Sequence, residues 1–217
     1  KHRNLQIQEK FLFVIIFFLL LLSLSPVTNA DSLAYHSYIG KYLVDKGSFP
    51  VSIHFPHLRT MGSGEILIGL GLVANIEQFN SVIQMVGLIS LVGIIKNTKF
   101  KTYMPMLLIC SPIVIVFISS VKPQLFHIAS NGLIFSIVIK NFYIIKKNIY
   151  KQKNIFFFAS ILITSITAKF SFVLSSFIVF GLIFYESLVR NFFLKFISIL
   201  SLSLIIFYLP TLYWKWT

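Results

Sequence analysis

The chain is divided into long apolar blocks that are separated by short, lysine-rich segments. Seven such blocks occur in its 217 residues, at 11–27, 66–95, 103–119, 124–139, 155–167, 170–185 and 192–209. A membrane-spanning helix needs about 20 mainly apolar residues, with a range of about 17–25, and most blocks reach that length with their flanks. Because 57% of the residues are hydrophobic and 12% are charged, a soluble enzyme, a disordered tail and a coiled coil are all disfavoured. The pattern predicts an all-α fold, a polytopic transmembrane helical bundle of about seven spans.

Two blocks depart from the usual length of a span. Block 155–167 would cover roughly 20 Å of a hydrocarbon core that is about 30 Å thick, so it could border a water-filled cavity. Block 66–95 is long and is interrupted by Asn75, Glu77, Gln78 and Asn80. It predicts a short interfacial helix over 65–74, followed by a spanning helix that ends near Ile95.

The lysines and arginines indicate the orientation of the bundle. If the N-terminus lies inside, 13 of the 19 basic residues fall on the inner segments, and four of the six acidic residues fall on the outer ones. Because cytoplasmic loops carry the excess of lysine and arginine, this topology is favoured. The net charge of +13 is then a topology signal, so no nucleic-acid partner is needed. The basic segment 140–153 is explained as a cytoplasmic anchor beside anionic lipid.

The first apolar block allows a second interpretation. Residues 1–10 are basic, 11–24 are apolar and 28–30 are small, so the first block could instead be a signal peptide. An uncleaved first span is more economical, since six more apolar blocks follow. The chain begins with Lys1 rather than Met and ends just after an apolar block, so we expect a single transmembrane domain over 1–217 that forms the N-terminal part of a longer protein. Its single cysteine, Cys110, allows neither an intrachain disulfide nor a cysteine metal site.

The first outer loop, residues 27–64, is the long polar segment of the chain. It contains three tyrosines and several aliphatic residues at i, i+3 and i+4 spacing, which predicts an amphipathic helix over 32–46 that ends at Gly47. Tyrosines favour the membrane interface, so this helix is expected to lie along the outer surface. The loop then returns through His54, His57 and Arg59, and Glu65 lies at the start of the next helix.

Three short motifs at the outer turns carry a family resemblance. They are TNADSLAYH at 28–36, SSVKPQ at 119–124 and AKFS at 168–171. With these motifs the chain resembles the GT-C superfamily of membrane glycosyltransferases, which use polyprenyl-phosphate sugars and include protein mannosyltransferases and aminoarabinose lipid A transferases. In that family an acidic residue follows the first span and precedes a helix that lies along the membrane. Asp31 has this place here.

The resemblance implies a sugar transferase in the bacterial inner membrane, involved in cell-envelope glycosylation. The donor is a polyprenyl-phosphate-linked sugar, and the acceptor is a glycan, a lipid or a protein. Asp31 is the candidate general base, because an acceptor hydroxyl must lose a proton as it attacks the anomeric carbon. Asp31 could also, or instead, cap the helix that begins at Ser32.

Five further residues are candidates for substrate binding: His36, Glu65, Lys122, Gln124 and Lys169. A cation must hold the departing phosphate, where negative charge grows. Lys169 and Lys122 are the candidates, although Lys169 could simply snorkel to the interface and Lys122 could belong to an ordinary turn. His36 could bind a sugar hydroxyl or phosphate, or lie solvated at the interface.

Cofactors and competing functions complete the interpretation. No cofactor is certain, but His54 and His57, together with Asp31, Glu65 or Glu77, could bind a divalent metal ion. The absence of a glycine-rich phosphate loop disfavours a nucleotide-sugar donor. A transporter or a lipid-linked-sugar flippase is the main alternative, and a structural subunit whose outer loop docks a partner is a third. Buried His127, Ser130 and Asn131 could line a cavity or join helices by hydrogen bonds.

Overall fold

The computed structural model describes residues 7–30, 32–50, 62, 64–96, 103–122, 124–144 and 151–216. These residues form helices joined by turns, which confirms the all-α prediction. They divide into two compact units. Unit 1 comprises residues 1–44 and 67–129, and unit 2 comprises 45–66 and 130–217. The expectation of a single transmembrane domain over 1–217 stays a prediction.

Unit 1 is built on the pair of helices α1 (Ile7–Ser23) and α4 (Phe79–Lys96). Their core contains Leu12, Leu19, Met85 and Leu88. Lys96 Nζ, at the end of α4, lies 2.9 Å from Glu9 Oε1, near the start of α1, so the two helices are antiparallel. Both residues were assigned to inner segments by the charge pattern, and the ion pair places them at the same end of the unit.

The third apolar block is not one continuous span, which corrects the expectation for 103–119. It forms two short helices, α5 (Tyr103–Ile109) and α6 (Pro112–Ile118). Ser111 has the extended backbone angles φ −69° and ψ 126° that a residue before proline prefers. Pro112 has no amide hydrogen to donate back to the preceding turn, so the helix ends before it and begins again with proline in its first turn.

The polar loop 27–64 contains the helix that was expected over 32–46. A π-helical turn (Ser32–His36) leads into α2 (Ser37–Lys46), and Gly47 ends the helix with φ +68°. This left-handed conformation confirms the predicted cap. After the loop, α3 (Gly64–Val73) and α4 have nearly the bounds predicted for the two parts of block 66–95. Within unit 1, Gly40 of α2 packs closely on Ile68 and Gly69 of α3.

Unit 2 is a helical bundle that includes residues 130–144 of α7 (Gln124–Ile144). The other elements are α8 (Gln152–Ala168), a 3₁₀ turn (Phe170–Phe172), α9 (Val173–Val189), α10 (Phe193–Ser203), a second π-helical turn (Leu204–Tyr208) and α11 (Leu209–Trp216). Its core includes Ile134, Phe158, Leu162, Ile183 and Phe196. Helix α8 has 17 residues, about 25 Å, so it is longer than block 155–167 indicated.

Large apolar side chains cover the outside of many helices. Examples are Phe13 and Phe18 of α1, Leu174 and Phe177 of α9, and Leu194 of α10, each more than half exposed. Many exposed large apolar side chains are typical of contact with a membrane or a partner. Two of the described helices, Phe79–Lys96 and Phe193–Tyr213, are long and apolar enough to cross a membrane.

Candidate polar site at the helix ends

The candidate site residues are distributed over the two units. Unit 1 contains His36, Lys122 and Gln124, and unit 2 contains Glu65 and Lys169. Asp31, His54 and His57 lie outside the described residues. Each unit therefore carries part of the predicted site.

In unit 1 the turn between α6 and α7 is held by polar side chains from other elements. Asn80 Nδ2 donates to the carbonyl of Val121 at 3.0 Å, and the amide of Val121 donates to Ser32 Oγ at 3.3 Å. The amide of Leu125 donates to Gln84 Oε1 at 2.7 Å. The backbone polar groups of this turn are thus satisfied by side chains of α4 and of the first π-helical turn, as buried backbone groups must be.

This hydrogen bonding brings three predicted site residues into one region. The turn carries half-buried Lys122 and Gln124, whose amide donates to the carbonyl of Lys122 at 2.7 Å. His36 lies one turn after Ser32 along the π-helical segment. Its side chain is 4% exposed and its ring lies 4.4 Å from that of Tyr35, so the alternative of a solvated histidine was wrong.

The helix at 32–46 has a cap that the sequence interpretation missed. Asn29 Oδ1 accepts a hydrogen bond from the amide of Ser32 at 3.2 Å, and the carbonyl of Asn29 accepts one from Leu33 at 3.1 Å. This side-chain contact, three residues along the chain, is the usual N-cap hydrogen bond. The capping role that the sequence offered to Asp31 is therefore filled by Asn29.

A cavity of about 190 Å³ lies beside the same turn in unit 1. We call it the unit 1 cavity; its lining residues are Pro26, Val27, Leu33, Ser37, Ile68, Gly71, Leu72, Ile76, Glu77, Phe79, Asn80 and Val121. Most of its wall is apolar, and the polar side chains are those of Ser37, Glu77 and Asn80. A few polar groups in an otherwise apolar concavity are typical of a small-molecule site.

In unit 2, Glu65 has a defined structural role. Its Oε2 accepts a hydrogen bond from the amide of Gly62, three residues earlier, at 3.1 Å. This contact is the one that the glutamate of a capping box makes at the start of a helix, here α3. A Cβ atom at Gly62 would lie 1.6 Å from the carbonyl oxygen of Thr167, so this backbone passes directly over the end of α8. Lys169 follows that end in extended conformation and is half-buried.

A polar cluster joins three helices of unit 2. Asn131 Nδ2 donates to Ser175 Oγ at 3.1 Å and to Ser176 Oγ at 3.3 Å, while Ser165 Oγ donates to Asn131 Oδ1 at 3.0 Å. The expectation that Asn131 joins helices by hydrogen bonds is confirmed. In unit 1, His127 of α7 is buried, and its ring lies 5.7 Å from that of Phe126.

Several of these residues were not singled out from the sequence. In the sequence, Asn80 is only an interruption of an apolar block, and no role is predicted for Gln84. Their one available signal is spacing: polar residues at 80, 81 and 84 recur on one face of a helix that is otherwise apolar. Among the residues that the structure describes, no three histidine, cysteine, aspartate or glutamate side chains are grouped as a metal site would need.

Comparison with known families gives one match. Residues 2–217 match the DUF1420 N-terminal domain, and the chain therefore belongs to this family. No curated protein and no solved structure matches the chain.

Proposed function

We propose that the chain is an integral membrane protein of about seven spans with a cytoplasmic N-terminus. It would transfer a sugar from a polyprenyl-phosphate carrier to a glycan, lipid or protein acceptor at the outer face of the bacterial inner membrane. The ion pair between Glu9 and Lys96 supports an antiparallel pair of spans, since it joins two residues that the charge pattern assigns to the same side. The buried polar groups of unit 1 lie at the opposite ends of the same two helices.

The observation that carries the proposal is the unit 1 cavity with the segment that borders it. Val27 and Leu33 line the cavity from either side of Asp31 in the sequence. Asn29 already caps the helix, so the carboxylate of Asp31 is not required for that role. A π-helical turn follows at once, and such turns are frequent at functional sites.

In the proposed reaction Asp31 acts as general base. The acceptor oxygen forms a bond to the anomeric carbon, the bond from that carbon to the phosphate oxygen breaks, and the acceptor proton passes to the carboxylate. The polyprenyl phosphate leaves with the bonding electron pair. Either Lys122, in unit 1, or Lys169, in unit 2, is the proposed partner of the departing phosphate, because a positioned cation stabilises the charge that develops there.

The replacement Asp31→Asn in the full-length protein tests this assignment. Sugar transfer from polyprenyl-phosphate donors should fall by about 10²- to 10⁴-fold, the usual contribution of a general base. Expression and membrane insertion should stay normal. Asp45→Asn is the matched control, because Asp45 is an exposed carboxylate on α2 of the same loop and should retain full activity. Wild-type transfer by Asp31→Asn would overturn the general-base role.

One structural observation favours a transporter or flippase as the second candidate. The break between α5 and α6 at Cys110 and Ser111 divides one apolar block into two half-length helices, and discontinuous helices are common at transport sites. Reconstituted liposomes separate the two functions. Movement of a lipid-linked sugar between leaflets with no acceptor glycosylation would favour transport, whereas glycosylation of an acceptor in detergent solution would favour the transferase.

A further inference from the structure

We infer that the break between α5 and α6 is exposed to water at mid-depth in the membrane, as part of the wall of an aqueous crevice in unit 1. The inference rests on the part of the proposed function in which this apolar block crosses the membrane, and it is independent of sugar transfer. It concerns Cys110, Ser111 and Pro112, none of which takes part in the proposed reaction.

The lengths of the two helices put the break at mid-depth. Helices α5 and α6 have seven residues each, which corresponds to about 10 Å each. The block follows the lysine-rich segment 96–101 and leads into the polar turn 119–122. The break is therefore about equally far from the two faces of a hydrocarbon core that is about 30 Å thick.

Backbone polar groups at the break lack their usual helical partners. The amide of Ser111 donates to the carbonyl of Leu108 rather than to that of Leu107, and Pro112 has no amide hydrogen. Within the described part of the chain, the carbonyls of Leu107 and Cys110 accept no backbone hydrogen bond. The side chain of Ser111 makes no cap hydrogen bond to α6. Three polar oxygen atoms are thus left at one point of an apolar block.

The break also lies on the surface of unit 1. Cys110 and Pro112 are exposed, and Ser111 between them is half-buried. Leu107 and Ile113, on either side, are 68% and 57% exposed. Helices α5 and α6 pack against α1 and α4 on their other face. The described residues of unit 1 therefore leave the break uncovered.

Hydrocarbon is the least suitable environment for such a break, because it offers no hydrogen-bond partners. Non-helical backbone at membrane depth is tolerated only where protein buries it or where it lines a water-filled cavity. Among the described residues, none from α1 or α4 donates to these carbonyls. Water can: the oxygen atoms of Leu107, Cys110 and Ser111 supply the polar partners, about two to four, that an ordered water needs.

The single cysteine of the 217 residues reports on this environment directly. In open membrane fragments that contain the full-length protein, Cys110 should react with a charged methanethiosulfonate, because the reactive thiolate forms in water. The Cys110→Ser protein corrects for cysteines elsewhere in the full-length chain. In that background Phe17→Cys, in the middle of the unbroken α1 and 51% exposed, should react about 100-fold more slowly, since its thiol faces hydrocarbon.

A nitroxide attached to Cys110 gives a second measurement without any substitution. Its collision rate with a water-soluble nickel complex should exceed its collision rate with molecular oxygen, which concentrates in hydrocarbon. A nitroxide attached to Phe17→Cys should show the reverse order. The same order at both positions would contradict a water-exposed break.

The outcomes separate this inference from the proposed function. If Cys110 reacts as slowly as Phe17→Cys while Ser48→Cys in the first loop reacts rapidly, the water-exposed break is overturned and the spanning arrangement stands. Oxidative formation of a Cys110–Cys110 disulfide between two chains, in place of labelling, would show that a second copy covers the break and would also overturn the inference. Equally rapid labelling at all three positions would show that these helices do not lie in the membrane, and the proposed spans would fail together with the inference.

Discussion

At the scale of single residues, Asn29 decides how the first loop begins. Asn and Asp are almost equally good N-caps, and residues 29 and 31 both precede the predicted helix. Which of the two caps the helix depends on where the first helical hydrogen bond forms. Sequence spacing locates a helix end only to within one or two residues. The structure assigns the contact to Asn29, since its side chain accepts the hydrogen bond of the Ser32 amide.

Replacement of Asn29 by alanine should therefore destabilise unit 1. Loss of an N-cap side chain costs about 0.5–2 kcal/mol, and Asn29→Asp should recover most of it because aspartate keeps the accepting oxygen. The difference is measured as a change in melting temperature. The protein is heated in detergent, and the fraction that stays monodisperse is monitored. A larger effect of Asp31→Ala than of Asn29→Ala on the melting temperature would contradict this assignment of the cap.

At the scale of helices, the crossing of α4 with the start of α7 depends on Gly87. A Cβ atom there would lie 2.5 Å from the amide nitrogen of Phe126, which is backbone and cannot move aside alone. Gly87→Ala should therefore destabilise the protein by about 1–3 kcal/mol, the range for overpacking. Gly93 is a matched control in the same helix, since a Cβ there meets nothing within 4 Å. Equal melting temperatures for the two variants would contradict the close crossing.

The hydrogen-bonded cluster around Asn131 joins helices of unit 2. We expect its loss to lower the free energy of unfolding by less than the Gly87→Ala replacement does. Asn131→Leu removes three inter-helical hydrogen bonds, but Ser165 and Ser175 also donate to carbonyls of their own helices or turns. The expected cost is about 0.6–2 kcal/mol, the range for polar contacts between membrane helices. Ser198→Ala is the control, because exposed Ser198 donates to Leu194 of its own helix and should melt like wild type. No shift for Asn131→Leu would show that the cluster is energetically neutral.

Sequence pattern predicted the helices more completely than it predicted their packing. Apolar periodicity gave α3 and α4 nearly in their observed bounds, and Gly47 marked the end of α2. The break at Ser111 was missed because an apolar block has the same composition whether the helix within it is continuous or interrupted at Pro112. Asn80 and Gln84 were missed because their role depends on a turn about 40 residues away, which local spacing cannot reveal.

At the scale of the whole molecule, the proposals depend on which side of the membrane the first loop occupies. The alternation of lysine-rich segments with apolar blocks is the basis for expecting this loop outside. The ion pair of Glu9 and Lys96 marks the opposite end of unit 1. The end of α1 and the start of α4 then lie on the side opposite this ion pair, together with the unit 1 cavity. A topology reversed in the membrane would move the cavity and the loop together to the cytoplasm.

Labelling of intact cells decides this point. In the Cys110→Ser background, a cysteine at Ser48, just after α2, should react with a membrane-impermeant maleimide in unbroken cells. A cysteine at Gln152, an exposed residue at the start of α8, should react only after the membrane is permeabilised. The inner side is expected for Gln152 because it lies between Lys151 and Lys153, and cytoplasmic segments concentrate lysine. The opposite labelling pattern would place the cavity inside the cell, where a sugar would have to arrive on a cytoplasmic carrier, and the proposed outer-face transfer would fail with it.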